Sequence, residues 1–323
     1  MQVNHHPLAD FRSLQGEALD GLLSEHVASL MAAGVVKLKS VAQDGLRVRA
    51  SAGAASFRRE AKLKGYLDAA RAQVAALKQA VEDDPSAEFR RRKAARERAA
   101  EEARASTTDA EATVMKRGDG GFRPAYNLEF GSDTESRIIV GVDVATTGSD
   151  MAQMVDQVIE RCGVAPENWL VDGGFPAHDQ VEAVAEQTRV IAPVPRPKAR
   201  CKDKTSDQGD SGGQGTGDGG SAAPAVDPHQ RKPGDGEAVG AWRERMGAAE
   251  ARALYKERAA VAECVNAQAR NRNLVLLPVR GLKKVRAVAT LYALAHNLMR
   301  MISLAPELFG TGTSTSEIRP MAA

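Results

Sequence analysis

Residues 169–179 read WLVDGGFPAHD. An apolar run of Trp169, Leu170 and Val171 leads into Asp172, and two glycines then strip the chain of side-chain bulk. Two readings are open. Asp-Gly after strand formers is the strongest short hairpin signal. The other reading sets a carboxylate at a strand tip, where a metal ion can reach it. Beyond the glycines the chain carries a short helical pattern at 178–187 and then TRVIAPVPRP, a strand that prolines end. Strands alternating with helices predict a mixed sheet flanked by helices.

The surroundings extend that pattern. Upstream, Met151, Met154, Val155, Val158 and Ile159 recur at helical spacing over Asp150–Arg161, with Ser149 or Asp150 as cap. Before it, FRPAYNLEFGSDTESRIIVGVDVATTG reads as a hairpin turning at Asp133–Ser136. Asp133 is then a turn residue, and Asp143 a strand residue facing solvent or backing the site. Further back, VVKLKSVAQDGLRVRASAG carries Val36, Leu38, Val41, Leu46 and Val48 among polar residues, punctuated at Asp44-Gly45. Residues 7–34 have a helical period that Gly34 ends, and 1–35 are expected to be a helical remnant of an N-terminal region.

Two insertions interrupt the α/β order. Residues 56–115 predict a helical insertion: Leu63 to Val81 form one amphipathic face, Asp84-Pro85 breaks it, and FRRRKAARERAAEEARAS comes next. That second helix is a solvated face or an arm tracking phosphates with Arg90, Arg91, Arg92, Lys93, Arg96 and Arg98, an idea weakened by Glu97, Glu101 and Glu102. Residues 198–237 are Gly, Ser, Asp and Pro with scarcely an apolar group, and predict a disordered insertion. Helix formers return from Ala241 to Leu274, and LKKVRAVATLYALAHNLMRMISL predicts a core helix. Residues 306–323 read as a flexible tail.

Composition removes several classes. Hydrophobic residues are 43% and charged residues 27%, so the chain can bury a core. Aromatics are 4%, too few for a binder built on base stacking. A net charge of +2 means that any nucleic-acid surface comes from local clustering. Cys162, Cys201 and Cys264 have no C-x-x-C spacing, which argues against a zinc site or disulfide framework and suits a reducing cytoplasm. His5-His6 lacks a nearby third ligand. No signal peptide opens the chain, and the apolar run between Arg286 and Arg300 is too short to span a bilayer. Phosphate-cradling and hydrolase motifs are missing.

Acids remain. Asp44 and Asp172 at strand positions and Glu263 on a later helix can converge at one edge of a mixed sheet. Converging carboxylates repel one another and invite hard divalent cations. Two such ions about 4 Å apart stabilise the attacking and leaving oxygens in phosphodiester chemistry. Glu263 alone would read as a solvated helix face. Yet small alanines surround it, Asn266 and Arg270 share its stripe, and Tyr255, Lys256 and Arg258 lie just upstream.

Around these acids the chain resembles the bacterial insertion-sequence transposases of the DDE type. The resemblance is carried by VAQDGLRVRASAG around Asp44, LVDGGF around Asp172, and LYKERAAVAECVNAQARNR around Glu263, with Tyr255, Arg258 and Glu263 as the family's Tyr, Arg, Glu signature. ADFRS, FRPAYNLEF, IIVGVDV, RGLKKVRAV and ALAHNLMR support it in order. The resemblance implies a ribonuclease H-like catalytic domain over 36–305. It implies two Mg2+ ions, with Mn2+ as substitute, held by Asp44, Asp172 and Glu263 for DNA strand cleavage and transfer. It implies DNA contacts from Tyr255, Arg258, Asn266, Arg270, Lys283 and Lys284. Its partners would be terminal inverted repeats, target DNA and further copies of the chain, in the cytoplasm and on the nucleoid when bound. Two departures stand out. The chain begins almost at ADFRS, where relatives carry a further helical region, so an N-terminal truncation is expected; and Leu46 stands where a small polar residue is usual. A non-catalytic DNA-binding or oligomerisation remnant and a host ribonuclease H-like nuclease are the alternatives.

Overall fold

The computed structural model describes residues 10–11, 14–53, 57–59, 104–116, 121–146, 151–195 and 227–309. His5, His6, Asp150, Cys201, the basic segment Arg90–Arg98 and most of both insertions lie outside them.

The elements run α1 (Gly16–Ala32), β1 (Ser40–Arg49), β2 (Phe57–Arg59), β3 (Arg104–Ser106), β4 (Thr113–Lys116), β5 (Phe122–Asp133), β6 (Ile139–Ala145), α2 (Met151–Cys162), β7 (Asn168–Leu170), α3 (His178–Ala183), β8 (Arg189–Ile191), α4 (Glu237–Gly247), α5 (Ala249–Asn271) and α6 (Leu282–Leu304), with a 3-10 turn at Pro306–Phe309. Among the described residues six strands form the main sheet, in the order β4-β5-β1-β7-β8, with β6 also on β5. β1 lies antiparallel to β5 and parallel to β7, and β8 continues parallel beyond β7. This curled mixed sheet flanked by helices is a ribonuclease H-like fold.

The strand-helix-strand reading of 169–191 holds, and the hairpin reading of Asp172-Gly173 does not. The chain leaves β7 through a turn at 173–175 into α3 and returns as a parallel strand. The predicted turn at Asp133–Ser136 is present, with Asp133 Oδ2 accepting from the Ser136 amide at 2.8 Å and hydroxyl at 2.7 Å. Three local expectations change. Asp44-Gly45 does not punctuate a strand but lies in the middle of β1, which pairs with β5 without interruption from Val41 to Arg49. Thr113–Lys116, at the end of the expected helical insertion, is a strand on β5, where Thr113 Oγ1 also donates to the Thr146 carbonyl at 2.8 Å. Residues 227–236, read as disordered from composition, form turns tied down by a buried Asp235–Arg243 ion pair at 2.7 Å. Composition cannot foresee that pair, because its two halves become costly to separate only once both are buried.

Packing fixes the frame. Leu19, Leu23, Val27 and Leu30 make one buried stripe along α1, and α1 packs against α6. Met151, Met154, Val155 and Val158 bury α2, which packs on β6. Trp242 of α4 is buried and donates Nε1–H to the Ala192 carbonyl at 3.0 Å, which ties the returning segment to the chain just after β8. α5 packs against β1 and carries one face of its side chains over it.

Candidate functional site

Strand register brings the first two acids together. Val41 and Ala42 of β1 lie beside Trp169 and Leu170 of β7 in parallel register. Two residues beyond Ala42 is Asp44, and two beyond Leu170 is Asp172. Side chains alternate with period two along a strand, so the acids fall on one face at matching height.

The helix supplies what meets them. Arg258 Nη2 donates to Asp44 Oδ1 at 3.1 Å and stands 3.9 Å from Asp172 Oδ2. Asn266 Nδ2 donates to Asp44 Oδ2 at 2.9 Å. Arg258 and Asn266 are separated by about two turns of α5 and both reach Asp44, whereas Glu263, one turn before Asn266, is exposed. Asn266 is buried, so its amide faces Asp44 and not the surface.

Burial pushes the Asp44 carboxyl above its ordinary value. The Arg258 guanidinium and the Gly45 amide pull it down, and the nearby charges of Asp172 and Glu263 push it further up. Asp44 therefore feels both other acids. Among the described residues, however, no group of three or more His, Cys, Asp or Glu side chains is gathered closely enough to hold a metal ion. The donor set nonetheless suits one: hard oxygens on Asp44 and Asp172 share a cation already, and that cation is the Arg258 guanidinium.

Asp172 is the more open acid, its side chain 46% exposed against 21% for Asp44. Its Oδ1 accepts from the Gly174 amide at 2.8 Å. A Cβ on Gly174 would lie 3.1 Å from that oxygen, so glycine lets the carboxylate fold back on its own turn. This is a closer reason for the glycine than clear space in front of the acid.

Behind Asp44, on the other face of β1, lies a buried polar chain that the sequence did not announce. Trp169 Nε1 donates to Gln43 Oε1 at 2.9 Å, Gln43 Nε2 to Glu129 Oε2 at 2.8 Å, and Asn127 Nδ2 to Glu129 Oε1 at 3.0 Å. Gly45 makes room for it, since a Cβ there would lie 2.5–2.9 Å from the Asn127 amide group. Strand alternation gave no signal because β5 is buried on both faces over most of its length.

The remaining candidates stand one turn outside Arg258 and Asn266 on α5 or at the start of α6. Tyr255 is half-buried and Arg270 exposed, both on α5. Lys283 and Lys284 are exposed at the start of α6. Lys283 also lines a groove of about 530 Å³ with Glu17, Asp20, Gln157 and Arg286, where acids balance its charge. Asp143 backs the sheet edge, with its Oδ1 2.5 Å from Arg286 Nη2. Cys162 and Cys264 are unpaired, and burial pushes the Cys162 thiol up to about 11.

No curated protein and no solved structure matches the chain. Residues 233–302 match the family model described as transposase DDE domain. The matched stretch takes in α5, whose Arg258 and Asn266 hold Asp44, and almost all of α6. That match, beside a sheet of ribonuclease H-like order, supports a transposase of the DDE type.

Proposed function

We propose that the chain cleaves and joins DNA strands at an insertion-sequence end, with Asp44, Asp172 and Glu263 as its catalytic acids. The observation that supports this most is one guanidinium shared by Asp44 and Asp172 under the helix that carries Glu263. These three acids would hold two Mg2+ ions, or Mn2+, whose chemistry when bound is to activate water or a 3′-hydroxyl and to stabilise the leaving oxygen. Asn266 orients Asp44, and burial strengthens each electrostatic contact made there. Arg258, Tyr255, Arg270, Lys283 and Lys284 supply phosphate contacts, which position DNA without reading its sequence. Terminal inverted repeats and target DNA are the partners, and bringing two ends together calls for more than one copy of the chain.

The test is Asp172→Asn, with nicking of duplex DNA assayed in Mg2+ and in Mn2+. Loss of nicking with an unchanged circular dichroism spectrum is expected. Undiminished nicking would overturn the assignment.

A second reading is a DNA-binding remnant without catalysis. It is favoured by the engagement of both Asp44 oxygens with protein donors and by the absence of a gathered metal-binding group among the described residues. Salt-sensitive DNA binding with no cleavage in either metal would establish it.

A further inference from the structure

We propose that Arg258 is a resident counter-ion that keeps Asp44 and Asp172 paired until a divalent cation displaces it, and that the displaced guanidinium then takes a DNA phosphate. Metal loading and DNA binding are thereby coupled through one side chain. The inference rests on the reading of Asp44 and Asp172 as metal ligands, and it adds the order in which that site is made ready.

Four observations carry it. A single nitrogen, Nη2, serves both acids, at 3.1 Å from Asp44 and 3.9 Å from Asp172. It stands between the two carboxylates, where a metal ion shared by them would also stand, and two cations cannot share that space without strong repulsion. The Arg258 Nε is fully buried and has no hydrogen-bond partner, so the present placement leaves one donor unsatisfied and costs free energy that a new acceptor would recover. Asn266, a neutral amide, holds the other Asp44 oxygen at 2.9 Å. Asp44 thus stays oriented when Arg258 leaves. Asp172 keeps one oxygen on the Gly174 amide and is nearly half exposed, which gives the incoming ion a path from solvent.

Guanidinium geometry fits the second part of the exchange. Its planar fork donates to phosphate oxygens as readily as to a carboxylate, and once freed of Asp44 it carries an uncompensated charge. A phosphodiester at the same cleft satisfies that charge. The metal and the DNA then favour each other's binding, as linkage requires of any shared element.

The experiment titrates Mn2+ alone into the full chain and follows the free ion by electron paramagnetic resonance. Wild type is compared with Arg258→Gln, Arg258→Lys and Asp44→Asn. Removing a charged hydrogen bond that competes with the metal is expected to tighten Mn2+ binding in Arg258→Gln by about tenfold. Arg258→Lys keeps a charge but loses the fork, so it tightens binding by a smaller factor; it decides the matter if the glutamine variant does not fold. In wild type, Mn2+ raises affinity for a short duplex at fixed ionic strength, and this gain shrinks in both Arg258 variants. If Asp44→Asn weakens Mn2+ binding but neither Arg258 variant tightens it, the counter-ion inference falls and the ligand reading stands. If Asp44→Asn leaves Mn2+ binding unchanged, both fall together.

Discussion

Asp44 is held from two sides by groups of different character. Arg258 brings a charge that must eventually be exchanged, and Asn266 brings a neutral amide that need not be. Replacing Asn266 with alanine removes a hydrogen bond to a charged acceptor, and a loss of about 1–3 kcal/mol in urea unfolding is expected. A midpoint unchanged from wild type would show that the contact is decorative. Gly45 is a second residue whose identity is set by a neighbour. Gly45→Ala drives a methyl into the Asn127 amide, displacing it from Glu129, and should cost about 1–3 kcal/mol as an overpacked site does. Asp172 and Asp44 were legible in the sequence because acids at strand positions beside glycine are conspicuous there. Asn266 facing Asp44 and the Gln43–Glu129 pair were not, because each polar group makes sense only against a partner some 86 to 222 positions away.

Helix α6 shows how one element serves several neighbours at once. Asn297 accepts from the Ile139 amide and donates to the Ile139 carbonyl, both at 2.8 Å, so its side chain takes the place of a neighbouring strand. Asn297→Ala would leave both buried backbone groups unpaired, and about 2–4 kcal/mol should be lost in denaturant unfolding. Next to it His296 is fully buried, with Nε2 against the Arg137 carbonyl at 2.9 Å and Nδ1 facing Arg272 at 3.4 Å. Burial lowers its pKa from 6.5 to about 4, helped by the charges of Arg272 and Arg300 against the Arg137 carbonyl. The unfolded chain therefore binds a proton that the folded chain refuses between these values. Stability from this group is complete above about 6.5 and is lost as pH falls toward 4, to the extent of about 3 kcal/mol at most. His296→Gln keeps a donor and an acceptor without the titration, and its unfolding free energy should be flatter across that window. The helical period of α6 was plain in the sequence. That its polar face would turn inward onto a strand edge was not, since periodicity marks a buried stripe only when the stripe is apolar.

At the scale of the whole molecule, the charge near neutrality returns as a prediction about DNA. Arg270 and Lys284 are exposed, at the end of α5 and the start of α6. Replacing both with alanine should weaken binding to any duplex alike and reduce the slope of log K against log salt by roughly 2 if each meets one phosphate. An unchanged slope would place the DNA elsewhere on the surface. The order of strands and helices from 122 to 191 was readable because turn residues and apolar periods alternate cleanly there. The edge strand β4 was not, being four residues inside a stretch dominated by helix formers.

The side chains laid against the sheet margins have a consequence for assembly. Asn297 occupies the backbone of Ile139, and Arg245 Nη1 donates to the Val190 carbonyl at 3.0 Å on β8. Unpaired edge strands are templates onto which another chain can zip. Here Ile139 on β6 and Val190 on β8 already hold plugs contributed by the molecule itself. A foreign strand could not begin its ladder at either residue without first displacing a side chain of the molecule's own.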